Sequence, residues 1–316
     1  MSEQVAGRPA PRSPFARLVG VVSSPKETFE EILGSPGWIA PFLCYAVIFL
    51  TAIGIWSMKA DYVTIMTDQM ENSGFFKLVP EANRDEALNR ALESFRTLTP
   101  GQITAETLIR TGGFLLPFFH GIALIYATLF VFLGALKDIK LGRAWVNFLL
   151  CLLMLVGYFV VYGIANFAFS GSPESRILLS GTATIALTAG WIWMLRRATA
   201  ADVELNRTVS VCTYSAVVNM IWAIVFGAIS IGTAAPIQVY LDKMVKSYAG
   251  AYIATGVPAI QALLDSLDLF TIGFFAVLSI GFRALTKLST GMTVSITFLP
   301  WVIVVLVKIA WAAVFG

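Results

Sequence analysis

Residues 111–136 read TGGFLLPFFHGIALIYATLFVFLGAL, 26 positions without an Asp, Glu, Lys or Arg. A helix needs about 20 such residues to cross about 30 Å of hydrocarbon, and an α-helix or a closed β-barrel is the only structure that bonds every backbone N–H there. Uncharged apolar runs recur at 38–58, 144–169, 177–195, 208–234 and 290–307. A further run, 269–282, is short; extended back to Ala262 it reaches the length of a span, with Asp265 and Asp268 in the first turns, where a helix N-terminus tolerates acids. The pattern predicts an all-α polytopic membrane protein of about seven transmembrane helices, with five or six as alternatives.

The composition points the same way. Hydrophobic residues make up 57% and charged residues 13%, against about 45–50% and about 25% in soluble domains. The formal charge of +3 is small and scattered, which excludes a nucleic-acid binder. Cys44, Cys151 and Cys212 lie inside apolar runs without CxxC spacing and read as small buried hydrophobes. The first apolar run begins at Trp38, too late and too long for a cleaved signal peptide, so the first span is expected to stay as an anchor.

Orientation follows from Lys and Arg in the short loops. With the N-terminus inside, one side holds Arg8, Arg12, Arg17, Lys26, Lys137, Lys140, Arg143, Arg196, Arg197, Arg207, Arg283 and Lys287, and the other only Arg176, Lys243 and Lys246. Twelve against three places the N-terminus in the cytoplasm. The expected location is a multi-pass position in a cell membrane, the inner membrane of a bacterium. Trp38, Trp56, Trp145, Trp191, Trp193, Trp301 and Trp311 fall mostly near run ends, as an aromatic belt requires, and Lys308 is placed to snorkel.

Residues 1–37 read as a cytoplasmic N-terminal segment, and 38–316 as the membrane domain with extracytoplasmic helical loops at 59–110 and 236–261. Ser13-Pro14, Ser24-Pro25-Lys26-Glu27 and Ser35-Pro36 each offer a serine N-cap and a proline at the first helical position, the middle one with a capping-box glutamate. Phe15, Leu18, Val19 and Val22, then Phe29, Ile32 and Leu33, recur at helical spacing and predict short helices on the cytoplasmic membrane surface. Thr99-Pro100-Gly101-Gln102 is a further capped start.

His120, beside Pro117 inside a run, is an intramembrane candidate for a proton relay; a neutral imidazole bonded to a neighbouring helix is the rival reading. Asn166 and Asn219, with Asn147, are polar candidates for interhelical hydrogen bonds. Glycines at 112, 113, 227, 232, 273 and 281 are expected to allow close helix packing, and Pro41, Pro117 and Pro300 to kink or start helices. Asp138-Ile-Lys-Leu-Gly-Arg143 and Asp202-Val-Glu-Leu-Asn-Arg207 share a pattern, read either as a parallel repeat or as two ordinary juxtamembrane helix starts. There is no GxSxG, HExxH, P-loop or dinucleotide fingerprint, and a single histidine removes most triads and metal sites. The expectation is a protein that is not an enzyme and needs no cofactor.

The run Phe15-Ala-Arg-Leu-Val-Gly-Val-Val-Ser-Ser-Pro25-Lys-Glu-Thr-Phe29, followed by Pro36-Gly-Trp38 and Pro41, resembles the N-terminal segment of the bacterial branch of the Yip family, the Ypt/Rab-interacting membrane proteins. Asn206-Arg-Thr-Val-Ser-Val-Cys-Thr-Tyr214-Ser215 is similar to that family's tyrosine-serine element, and Leu267-Asp-Leu-Phe270 to its C-terminal part. The resemblance implies a multi-span domain with a cytoplasmic N-terminus, typically of five spans, and brings no catalytic residues; eukaryotic relatives are linked to Rab GTPase binding and vesicle traffic. The functional expectation is a non-enzymatic scaffold or adaptor that organises lipids or partner proteins, itself included, with a small-solute transporter or channel as the alternative. Arg12, Arg17, Pro25, Phe29 and Trp38 are the residues expected to meet the membrane surface or a partner, or else to orient the first span.

Overall fold

The computed structural model describes residues 12–71, 76, 79–96, 98–136, 146, 156, 160 and 172–315. The expected run 144–169 with Asn147, Cys151 and Asn166, the basic residues Arg8, Lys137, Lys140 and Arg143, and the first half of the proposed repeat lie outside them, apart from Val146, Val156 and Val160. Among the described residues the chain is helical, with two isolated bridges, Ala60 to Ile237 and Tyr248 to Asp268, and no strand.

Two short helices, α1 (Pro14–Ser23) and α2 (Pro25–Gly34), form a collar on one face, from which α3 (Ile39–Lys59) crosses to the other. Here α4 (Tyr62–Glu71) and α5 (Glu81–Arg96) contribute to a cap. The capping box at Thr99 forms in full: Gln102 N–H donates to Thr99 Oγ1 at 3.3 Å and Thr99 N–H to Gln102 Oε1 at 2.9 Å, starting α6 (Pro100–Phe132). Its 33 residues reach about 50 Å, well over the hydrocarbon thickness, so its first turns stand in the cap. α6 ends on the collar face, whereas α7 (Pro173–Ala201) begins on the cap face, where Gln102 Nε2 donates to Glu174 Oε1 at 2.7 Å.

The next crossing, Val203–Gly232, is two helices, α8 (Val203–Ser215) and α9 (Val217–Gly232), joined at Ala216. The cap then adds α10 (Leu241–Met244), a 3₁₀ turn at Ala249–Ala251 and α11 (Pro258–Ser266), before α12 (Leu269–Thr286) and α13 (Thr290–Phe315) cross back and forth. Six of the described helical crossings are long and apolar enough to span a bilayer, and the protein is an all-α, multi-pass membrane protein. Their outer faces carry apolar side chains such as Leu178, Ile185 and Val307, each more than 60% exposed, a surface suited to acyl chains.

The core is aromatic. Phe282 meets Phe130 and Tyr126 with ring centroids 4.6 and 5.1 Å apart, and the Tyr126 hydroxyl donates to the Thr297 carbonyl at 2.6 Å, joining α6, α12 and α13. Two glycines set helix distances. A Cβ on Gly227 would lie 3.3 Å from Ala52 Cβ, which brings α9 against α3, and one on Gly281 would lie 2.6 Å from Val211 Cγ1 and 3.0 Å from Phe29 Cε1.

Four local expectations are corrected. Ser24 makes no side-chain cap and the box with Glu27 does not form, because the Ser24 N–H already closes α1 on the Gly20 carbonyl and its torsions serve that turn. Ser35-Pro36 starts no helix: Ser35 ends α2 with its N–H on Glu31 and Ile32, and α3 begins after Trp38. Ala262 to Phe282 is not one span, since the chain turns extended at Asp268, whose carboxylate accepts the Thr271 N–H at 2.6 Å and starts α12 afresh. Trp38, Trp56 and Trp191 do not form a belt; each is at most 4% exposed, and their indoles donate to Thr199 Oγ1, the Val239 carbonyl and His120 Nδ1. An indole N–H with a protein acceptor has no need of the interface.

Candidate functional site

On the cap face the ends of α3 and α9 are tied together. Ile237 N–H donates to the Lys59 carbonyl and Asp61 N–H to the Ile237 carbonyl, at 2.7 and 2.8 Å. The Lys59 ammonium donates to the carbonyls of Ser230, Ile231 and Thr233 at 2.8 to 3.1 Å, placing a cation on the negative end of α9. Further along, Ala249 N–H donates to the Leu267 carbonyl and Leu269 N–H to the Ser247 carbonyl, and Ser247 Oγ donates to Asp268 Oδ1. These bonds fasten the loop after α10 to the start of α12.

Below that loop lies a cavity of about 660 Å³, within the range of about 300–1,000 Å³ typical of ligand sites. Its deep wall is apolar and aromatic: Tyr45 and Phe49 from α3, Phe114 and Phe118 from α6, Trp222 from α9. Tyr45 and Phe49 stack at 5.4 Å, and Phe49 leans on Trp222 at 6.3 Å. The mouth is polar, with Lys243, Ser247 and Tyr248 from the cap, Asp265 from α11, Asp268 at the head of α12 and Lys308 from α13. Asn219, on the deep wall, lies 13 positions before the cap-side end of α9 at Gly232, so the cavity reaches about 20 Å along α9 from that end.

The cavity continues sideways. Asp265 and Lys308 also line a groove of about 500 Å³ whose other walls are Ala262, Ser266, Val307 and Trp311. Val307 and Trp311 are 62% and 40% exposed on the lipid-facing side of α13, so the polar mouth is continuous with the bilayer. The arrangement presents an apolar pit, a charged rim and a lateral path between them.

Of the intramembrane candidates, Asn219 lines this cavity, Asn166 lies outside the described residues, and His120 lines neither this cavity nor the groove. His120 is 1% exposed, and its Nδ1 accepts the Trp191 indole N–H at 3.1 Å. With Nδ1 accepting, the imidazole is in its neutral form and joins α6 to α7 through this hydrogen bond. Among the described residues no three His, Cys, Asp or Glu side chains converge in a way that could hold a metal ion.

The residues expected at the membrane surface are placed differently. Phe29 is fully buried between α8 and α12, Trp38 is 3% exposed, and Arg17 is 5% exposed, so none of the three offers a face to lipid. Arg12 and Arg17 converge on Glu31: Arg12 through its Nε and, at 2.7 Å, its N–H, Arg17 through its Nε at 3.0 Å. Arg17 also donates to the Ser35 carbonyl, and Arg207 to the Leu33 carbonyl, so two guanidiniums cap the end of α2. Burial raises the Glu31 carboxyl, but the hydrogen bonds and charge of Arg12 and the hydrogen bond of Arg17 outweigh it and hold it below the usual range. Pro25 opens α2 half-buried.

The exposed apolar stripe of the collar is instead Phe15, Val19 and Val22, 55–70% exposed at helical spacing, while Leu18 and Val21 of the same helix face inward. Periodicity gave α1 one apolar face, and only packing separates its inner from its outer half. A smaller collar-side cavity of about 350 Å³ brings Arg17, Trp38 and Tyr214 together, so parts of two segments that are distant in sequence meet there. The cap-face cavity was missed because its charges come from three helices and a loop, and nothing in their sequence spacing marks them as neighbours. Among known proteins, no family model, no curated protein and no solved structure matches this chain.

Proposed function

We propose that this protein is a non-enzymatic integral membrane scaffold that organises lipids, with its N-terminal collar in the cytoplasm and its cap outside. The observation that carries this reading is the cap-face cavity, whose aromatic pit, charged rim and lateral groove suit a molecule that is itself amphiphilic and arrives through the bilayer. The exposed Phe15, Val19 and Val22 stripe supports a second contact of the same kind at the inner leaflet. The resemblance of the N-terminal run and the Tyr214-Ser215 element to Yip proteins is in keeping with a role in arranging membranes.

The test is purification of the full chain in native-lipid discs, followed by quantification of lipid that remains after exhaustive detergent exchange. Stoichiometric lipid, lost in a Trp222→Ala, Phe118→Ala double variant that still elutes as a folded species, is expected. A chain that retains none would refute lipid holding. A transport reading draws on one observation: Val203–Gly232 is interrupted at Ala216, three residues from Asn219 on the cavity wall, and broken helices mark solute sites in transporters. Solute flux in proteoliposomes that vanishes with Asn219→Leu would favour it.

A further inference from the structure

The rim of the cap-face cavity carries two cations, Lys243 and Lys308, and two anions, Asp265 and Asp268. Their existing partners differ. Asp268 is engaged as the cap of α12 by Thr271 and by Ser247, and Lys243 stands 3.8 Å from Asp68 with both side chains more than half exposed. Asp265 accepts one hydrogen bond, from Gln261 Nε2 at 2.8 Å, and so keeps acceptor capacity on a carboxylate. Lys308 sits on α13 seven residues before its end at Phe315, on a face otherwise given to Val304, Val307 and Trp311. That is about 10 Å from the helix end, and the exposed side chain can snorkel toward the rim. Asp265 and Lys308 are also the two charges shared between the cavity and the lateral groove.

We infer that the cavity and groove bind a zwitterionic phospholipid, its phosphate on Lys308 and its ammonium on Asp265. This rests on the lipid-holding reading above. Balance of charge decides the class: an anionic headgroup would satisfy Lys308 and meet Asp265 and Asp268 with like charge, while a neutral one would leave Lys308 and Asp265 without counter-charges. A primary ammonium is preferred over a choline, because it offers N–H donors to Asp265 and the choline has none. One acyl chain enters the aromatic pit toward Asn219 and Trp222, and the other remains in the bilayer along Val307.

The experiment uses the full chain in nanodiscs containing equal parts of phosphatidylethanolamine, phosphatidylcholine and phosphatidylglycerol, with lipids that stay bound on release from the disc identified by native mass spectrometry. Phosphatidylethanolamine is expected to exceed phosphatidylglycerol by about tenfold, the ratio that one charge-assisted hydrogen bond supports. Asp265→Asn removes an anion and leaves Lys308, so the preference moves toward phosphatidylglycerol; Lys308→Gln lowers retention of all phospholipids. A structural defect alone predicts loss without this reversal of preference, and thermal unfolding of both variants in detergent checks that they fold. Bound lipid with no headgroup preference, or a preference for phosphatidylglycerol in the unaltered chain, overturns the zwitterion assignment and leaves lipid holding intact. An absence of bound lipid overturns both.

Discussion

Replacing Phe29 by alanine tests whether the collar is built into the membrane domain or lies on its surface. Phe29 is fully buried, and its ring edge is near enough that a Cβ on Gly281 would stand 3.0 Å from Cε1. A fully buried Phe contributes about 1.5–3 kcal/mol by transfer alone, and the cavity left by truncation brings the usual Phe→Ala cost to about 3–5 kcal/mol. Here the surroundings resist collapse, since the ring sits by Gly281 of α12 and Val211 of α8, both buried, in a core shared by several helices. The upper half of that range is therefore expected. Phe15→Ala, at a site 70% exposed, is expected to change stability by less than about 0.5 kcal/mol. The assay is reversible unfolding of the purified chain in mixed micelles with increasing SDS, followed by tryptophan fluorescence. If Phe29→Ala unfolds with the unaltered midpoint, the ring is not packed in the core and the argument fails.

Glu31 titrates below its ordinary value of 4.5, so its bonds to Arg12 and Arg17 contribute stability that is present above that value and lost as pH falls through the lowered folded one. Proteolysis within 12–35 should accelerate over that acid range, and Glu31→Gln should abolish the pH dependence. Cysteines placed at Asp85 in α5 and Ala200 in α7, both exposed, should label from opposite sides of a sealed vesicle; labelling of both from one side would disprove the crossing pattern. His120→Ala removes the acceptor of the Trp191 indole and should cost about 1 kcal/mol in the same unfolding assay, with solute permeability unchanged; a permeability defect without destabilisation would instead support a proton relay at His120.

Run length and charge alone settled the class of this protein, because hydrocarbon imposes one rule everywhere along the chain: about 20 apolar residues, with backbone bonds closed inside the segment. That rule works residue by residue and needs no partner, and local signals such as the Thr99 capping box are equally self-contained. It misplaced the span near Ala262, where a single capping aspartate outweighs the continuity of the apolar pattern. Tertiary structure alone decided which side of each amphipathic element is the inner one. Phe15 and Phe29 are both apolar residues at helical spacing in short helices, yet one is 70% exposed and the other fully buried, because Phe29 packs where Gly281 and Val211 leave room for its ring and Phe15 lies on the outer side of α1. The same holds for charge: Arg17 reads as a membrane-facing cation until Glu31 and the Ser35 carbonyl are beside it, and Asp265 and Lys308, 43 positions apart, become one rim only when α11 packs on α13. Periodicity reports that a residue prefers a nonaqueous neighbour, and in a bilayer both lipid and protein meet that preference, so the choice between them is made by shape.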